Sequence, residues 1–160
     1  HKYKVNDDFS TPLHAWKDIE KYIPKDKSIW CPFYMNGEHT LQQLGYDIIH
    51  EDEDFFENNK GDIVVDNPPF SKKKEVIKRL IELDKPFILI LPSSKINTQY
   101  FRESFKNSDS ELQIIIPRKR IHFIKMINGK IKENQKNICN FDCFYYCWKM
   151  ELDKDIIWLD

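Results

Sequence analysis

The stretch "DIVVDNPPFSKKK", residues 62–74, decides how the rest of the chain is read. Residues 62–66 carry a continuous apolar run, the mark of a strand buried on both faces. Two prolines follow at once. Proline neither donates to a sheet ladder nor enters a helix interior, so the ladder stops at Asn67 and the backbone beyond Val65 is stiff. From Ser71 a helix is predicted over 71–84, with Ser71 as N-cap and Val76, Leu80 and Leu83 along one stripe.

Further strands are predicted at "SIWCPF" (28–33), "YDIIH" (46–50), "PFILILP" (86–92), "LQIIIP" (112–117), "FDCFYYCW" (141–148) and "DIIWLD" (155–160). Helical spacing recurs in "GEHTLQQLG" (37–45) and "NTQYFRESFKN" (97–107), and Asn128-Gly129 between alternating runs predicts a hairpin. Strands alternating with helices give an α/β fold with a mainly parallel sheet, flanking helices and antiparallel C-terminal strands at one edge. Residues 1–160 read as a single domain, with no separate target-recognition domain evident. In such a sheet ligands bind beyond the carboxyl ends of the strands. The loops "CPFYMNGE", "HEDEDFF" and "DNPPFS" are therefore expected to open on the same side.

At 41% hydrophobic and 14% aromatic residues, the chain lies outside the disordered range. No apolar run approaches the roughly 20 residues of a membrane span, and no secretory leader is read at the start. Of the four cysteines, Cys139, Cys143 and Cys147 fall four apart, which suits thiols on one face of a strand better than a zinc site. Nothing suggests a disulfide framework, so an intracellular protein without bound metal or membrane is expected. The net charge is −1, yet residues 1–66 hold 7 basic and 14 acidic groups whereas residues 67–150 hold 17 and 8. A basic half on a neutral chain fits a polyanionic partner met on one face, and equally a lysine-rich solvated surface. Lys72, Lys73, Lys74, Arg118, Lys119 and Arg120 are the candidates for phosphate contact.

The Asn-Pro-Pro-Phe stretch suits a planar amine. The Asn67 side-chain oxygen can accept one N–H and the Pro68 carbonyl the other, while Pro69 helps fix the direction of both. Phe70 offers a face on which a flat ring can stack. Two acceptors aimed at one NH2 favour a tetrahedral nitrogen with its lone pair free, as methylation of an exocyclic amine requires. The other reading is a rigid turn with Phe70 in the core. Of the acids that follow "DIIH", Glu51, Asp52, Glu53, Asp54 and Glu57, a few can accept from ribose hydroxyls or an adenine amine, Glu51, Asp52 and Asp54 foremost, with Phe55 beside them; a solvated acidic loop is the other reading. Gly37 stands at a strand-to-helix turn, but neither GxGxxG nor a P-loop is present, so ATP use is not expected.

Together these loops resemble the class I S-adenosylmethionine-dependent methyltransferases with a Rossmann-like fold, and most of all the small adenine-N6 methyltransferases of phage, viral and protist type. The resemblance spans about residues 6 to 148, and "NPPF" is its most specific part. It implies S-adenosyl-L-methionine as cofactor and a DNA adenine as target. RNA adenine or protein glutamine amides, or a non-catalytic partner subunit, are the alternatives, and a partner subunit or homodimer fits a core without a target-recognition domain. "DFSTP" (8–12) is similar to the family's N-terminal motif, which puts Thr11 and Pro12 near the methionine part of the cofactor. Pro32, Phe33 and Gly37 match its first loop. There the family's usual aspartate is replaced by Cys31 and only one glycine follows, so the missing acid contact is expected from Asp7, Asp8 or Glu38.

Overall fold

The computed structural model describes residues 9–33, 39–127, 130–131 and 141–160. Its centre is a seven-stranded sheet in the order β3-β2-β4-β5-β9-β6-β10. The strands are β2 (Ile29–Trp30), β3 (Ile48–Ile49), β4 (Ile63–Asp66), β5 (Phe87–Pro92), β6 (Leu112–Ile116), β9 (Cys143–Trp148) and β10 (Ile156–Trp158). β2 pairs in parallel with β3 and β4, β4 with β5, and β6 with β10; β9 is antiparallel to both β5 and β6. The α/β class and the mainly parallel sheet follow the sequence reading.

The antiparallel element sits elsewhere than expected. β9 lies between β5 and β6, and the edge strand β10 is parallel to its neighbour. The hairpin strands β7 (Ile124–Ile127) and β8 (Lys130–Ile131) join β1 (Phe9–Ser10) in a separate sheet of order β1-β7-β8. The reason is in the side chains. "CFYYCW" carries no charge and suits burial on both faces, whereas "IKMI" and "KI" alternate lysine with apolar residues. The hairpin turn Asn128-Gly129 lies outside the described residues.

Period-two alternation divides the core. Ile29, Cys31, Ile63, Val65, Ile88, Ile90, Tyr145 and Cys147 pack on one face with Ala15, Trp16 and Leu41. Trp30, Val64, Phe87, Leu89, Leu91, Tyr146 and Trp148 pack on the other with Val76, Ile77, Leu80 and Phe101. Helices α1 (Leu13–Lys17) and α2 (Thr40–Gln43) therefore cover the first face, and α3 (Lys73–Glu82) and α4 (Gln99–Phe105) the second. Cys143 and Cys147, four apart on β9, are both buried with the first group, as their spacing predicts; Cys139 lies outside the described residues. Gly61, at the turn into β4, has φ +67°, and a Cβ there would stand 3.1 Å from the Ser28 carbonyl and from Trp30 Cβ.

Helix α3 starts later than predicted. Pro69 holds φ −57°, and its carbonyl accepts from the Lys72 amide at 2.9 Å, closing a 3₁₀ turn over Phe70–Lys72. Lys72 is the N-cap and makes no side-chain cap, so Ser71 is not the cap. The turn places the basic run where the chain leaves the sheet.

Candidate active site

The chain leaves β2, forms β3 on one side of it and then β4 on the other. In open α/β sheets ligands bind at such a switch point, in the crevice beyond the carboxyl ends of the strands, here those of β2 and β4. Asn67, Pro68 and Pro69 are buried at the end of β4, and Phe70 is half-buried. Phe70 meets Phe123 and Phe141 edge-to-face, with ring centroids 5.7 and 5.5 Å away. It therefore takes part in the core and in the crevice at once. The Asn67 side-chain oxygen Oδ1 is buried and has no hydrogen-bond partner. A buried acceptor left unmade costs about 1–3 kcal/mol, so such an atom marks either a cost of the fold or the place of an incoming donor.

Asp66, the last residue of β4, fixes the surroundings of Asn67. Its Oδ1 accepts from the Asn67 amide at 2.8 Å and stands 2.9 Å from His39 Nε2, and its Oδ2 accepts from the Phe33 amide at 3.0 Å. The Leu41 amide donates to His39 Nδ1 at 3.1 Å, so the proton of the neutral ring is on Nε2, which donates to Asp66. His39 and Gln42 form a reciprocal cap at the start of α2. Cys31 Sγ donates to the Val65 carbonyl at 3.1 Å, and burial, reinforced by the Asp66 carboxylate, pushes its thiol well above the usual value.

The ligand atoms of Cys31, His39 and Asp66 lie within 4.8 Å of one another. A metal would need the Nε2 lone pair and a thiolate. His39 Nε2 donates to Asp66, and the Cys31 thiol donates instead to the Val65 carbonyl. On the strand neighbouring Cys31, Asp66 accepts from the Phe33 amide. Asp7, Asp8, Gly37 and Glu38 lie outside the described residues.

After β3, Lys60 Nζ donates to Glu51 at 2.8 Å and to Glu53 at 2.6 Å. The hydrogen bond to Lys60 holds the exposed Glu51 carboxyl below its usual range. Asp54 caps a 3₁₀ turn, its Oδ1 accepting from the Phe56 amide at 2.9 Å. Asp52 is exposed. Phe55 is 2% exposed and packs on Trp30 and Phe33, so it supports the loop from below. The second oxygen of Glu53, Oε2, is buried without a partner. Of the acids in this run, Glu53 therefore keeps an acceptor in reserve.

Thr11 and Pro12 are buried where β1 gives way to α1, and Pro32 and Phe33 are buried after β2. One turn along α1, the Trp16 ring lies 6.0 Å from that of His39, and its indole N–H is buried with no partner. Trp16, His39 and Asp66 were not among the site residues read from sequence, and Glu53 stood there only as one member of the acidic run. One signal was available: a charged residue ending an otherwise apolar, doubly buried strand needs partners.

The basic candidates divide. Lys72 and Lys74 are exposed, whereas Lys73 Nζ donates to the Phe70 carbonyl at 2.5 Å. Arg118 and Lys119 are exposed on a cavity of about 560 Å³ that His14, Asp18, Lys21 and Tyr145 also line. Arg120 is bound through Nε and Nη2 to Asp142 at 3.0 and 3.2 Å. All follow β4 or β6, whose carboxyl ends lie on one side of the sheet. No helix among the described residues is long and apolar enough to cross a membrane.

The model of one protein family, described as adenine-specific methyltransferase EcoRI, matches residues 15–138. No curated protein and no solved structure matches the chain.

Proposed function

The chain belongs to the EcoRI family of adenine-specific methyltransferases, and on that premise we propose that it methylates the N6 amino group of adenine in DNA with S-adenosyl-L-methionine as donor. The observation that carries the reading is the buried, unpartnered Oδ1 of Asn67. An exocyclic amine brings the N–H that this acceptor lacks. The Pro68 carbonyl takes the second N–H, and the two together leave the nitrogen lone pair free to attack. No ionised base is required before attack, since orienting the amine is the task of Asn67 and Pro68.

The residues around the crevice fit the donor. Glu53 Oε2, a buried acceptor without a partner, suits the ribose hydroxyls or the adenine amine, with Glu51, Asp52 and Asp54 in the same run. The unpartnered Trp16 N–H, one turn from Thr11 and Pro12, suits a carboxylate. A bound S-adenosyl-L-methionine would supply an electrophilic methyl group, toward which Asn67 and Pro68 would hold the amine lone pair; the proton the methylated nitrogen sheds would pass to water. A pocket cannot reach N6 inside a duplex, so the base is taken flipped out or single-stranded, with Phe70 as its platform. The clusters at Lys72–Lys74 and Arg118–Arg120, which follow strands whose carboxyl ends lie on one side of the sheet, favour a nucleic acid over a protein, and DNA is the nucleic acid of our proposal.

The test is incubation with tritiated S-adenosylmethionine and, separately, single-stranded DNA, duplex DNA, RNA and protein, followed by digestion and identification of the labelled product. Labelled N6-methyladenine from DNA is expected. Asn67→Ala should lower the transfer rate about 100- to 1,000-fold, by analogy with loss of one oxyanion-hole donor, and leave cofactor affinity within a few-fold. Label only in RNA or protein, or equal turnover in the variant, overturns the assignment.

A further inference from the structure

We propose that Asp66, held by His39, is a positioning residue that sets the direction of Asn67 for methyl transfer; this rests on the methyl-transfer reading of the same crevice. Asp66 receives three donors from three separate segments. One is the amide of Asn67 itself at 2.8 Å, the second the amide of Phe33 after β2 at 3.0 Å, and the third His39 Nε2 at the cap of α2 at 2.9 Å. Both side chains of the His39–Asp66 pair are nearly out of solvent, 9% and 4% exposed. Hydrogen bonds to a charged group in such a setting are short and directional.

The arrangement joins the two loops that border the crevice. Phe33 belongs to the loop on the cofactor side, and Asn67 to the loop that receives the amine. A rotation of the Asp66 carboxylate would move the Asn67 amide and swing its unpartnered Oδ1. The tautomer matters here. Because the Leu41 amide occupies Nδ1, the proton on Nε2 is fixed toward Asp66, so the imidazole acts as a donor of set direction. Cys31 closes the cluster from the side by donating to the Val65 carbonyl, next to Asp66 in the chain. Sequence spacing hides this set, since its members stand 27 and 33 residues apart.

The link can be cut without removing the helix cap. Asparagine is a good N-cap but too short to reach Asp66, so His39→Asn keeps the bond to Leu41 and loses the one to Asp66. Asp66→Ala removes all three. Two measurements decide the matter. The first is hydrogen exchange of the Asn67 amide by NMR on the unliganded protein: at least tenfold faster exchange is expected in Asp66→Ala, and a smaller rise in His39→Asn. The second is the single-turnover rate constant for methyl transfer to a single-stranded adenine oligonucleotide with S-adenosylmethionine saturating. It is expected to fall at least tenfold in both variants, with the cofactor dissociation constant within threefold of wild type. The rate constant does not depend on the fraction of molecules folded, whereas the amplitude does. A purely structural role lowers amplitude and melting temperature and leaves the rate constant at the wild-type value, and that result overturns the proposal. Should Asp66→Ala fail to fold, His39→Asn carries the test. An inactive wild type overturns the methyl-transfer reading instead, and unchanged Asn67 exchange in the variants then also removes the link.

Discussion

Arg79 of α3 donates through Nε to the carbonyl of Phe55 at 2.9 Å, and through Nη2 to the carbonyl of Asn58 at 2.9 Å. One guanidinium thus pins the far half of the acidic loop to the helix that follows the Asn-Pro-Pro-Phe turn, while lying 5.8 Å from the centre of the Phe55 ring. Arg79→Ala should destabilise the protein by about 2 kcal/mol, for bonds from a charged donor to half-buried carbonyls. At this chain length that is roughly 4–8 °C in melting temperature. Arg79→Lys should recover only part of it, because an ammonium cannot serve both carbonyls with the fork geometry. Equal melting temperatures for all three proteins would show that the loop holds itself.

Glu53 should matter more to cofactor binding than its neighbours. Glu53→Ala is expected to raise the S-adenosylmethionine dissociation constant about tenfold, equivalent to ~1.4 kcal/mol, whereas Asp52→Ala should leave it unchanged. Asp54→Ala removes the cap at Phe56 and should lower both affinity and melting temperature. Titration calorimetry with thermal melts separates the three cases. An effect at Asp52 equal to that at Glu53 would refute the assignment.

The way the site was read explains this ranking. The acidic run was visible in the sequence as a group, and the sequence reading put Glu51, Asp52 and Asp54 ahead of Glu53. Which carboxylate oxygen is left over depends on Lys60 and on the turn at Phe55–Glu57. Asn67 was legible because two prolines announce a rigid position locally. Asp66 was legible only as the end of a strand, since its partners come from β2 and α2. The strands 63–66 and 87–92 stood out because burial on both faces leaves a continuous apolar run. The order of the sheet did not, because the place of β9 is set by pairing with two strands that precede it by about 30 to 55 residues.

The basic clusters should differ in their effect on binding. For duplex DNA, log K is expected to fall with log[salt] at about −0.9 per phosphate contacted. Lys72→Ala with Lys74→Ala, and separately Arg118→Ala with Lys119→Ala, should each make the slope shallower by roughly 1–2. Arg120→Ala should change it little, because that guanidinium is committed to Asp142. The first pair stands at the start of a helix, where positive charge is unfavourable, so its loss should not lower the melting temperature. Fluorescence anisotropy on a labelled oligonucleotide across a salt series measures the slopes; no change in either double variant would remove these residues from the binding surface.

The buried thiols should be inert in the folded state. Burial raises the pKa of both Cys31 and Cys147, and the thiolate is the reactive form. Alkylation by iodoacetamide at pH 8, mapped by mass spectrometry, should leave both unmodified until urea unfolds the chain. Rapid labelling of Cys31 without denaturant would show that the cluster around Asp66 opens readily in solution.

The insertion of β9 between β5 and β6 has a bearing on biosynthesis. A ribosome completes β5 and β6 long before it reaches residue 143, and during that interval neither strand has β9 beside it. β5 offers an unpaired edge of Phe, Ile and Leu residues and β6 one of Leu and Ile, the kind of edge that invites association between chains. Residues 143–148 therefore act as a wedge that seals the sheet from within. Chains that end before residue 143 should be captured by chaperones or found in inclusion bodies, although every residue proposed to touch the adenine is already present in them.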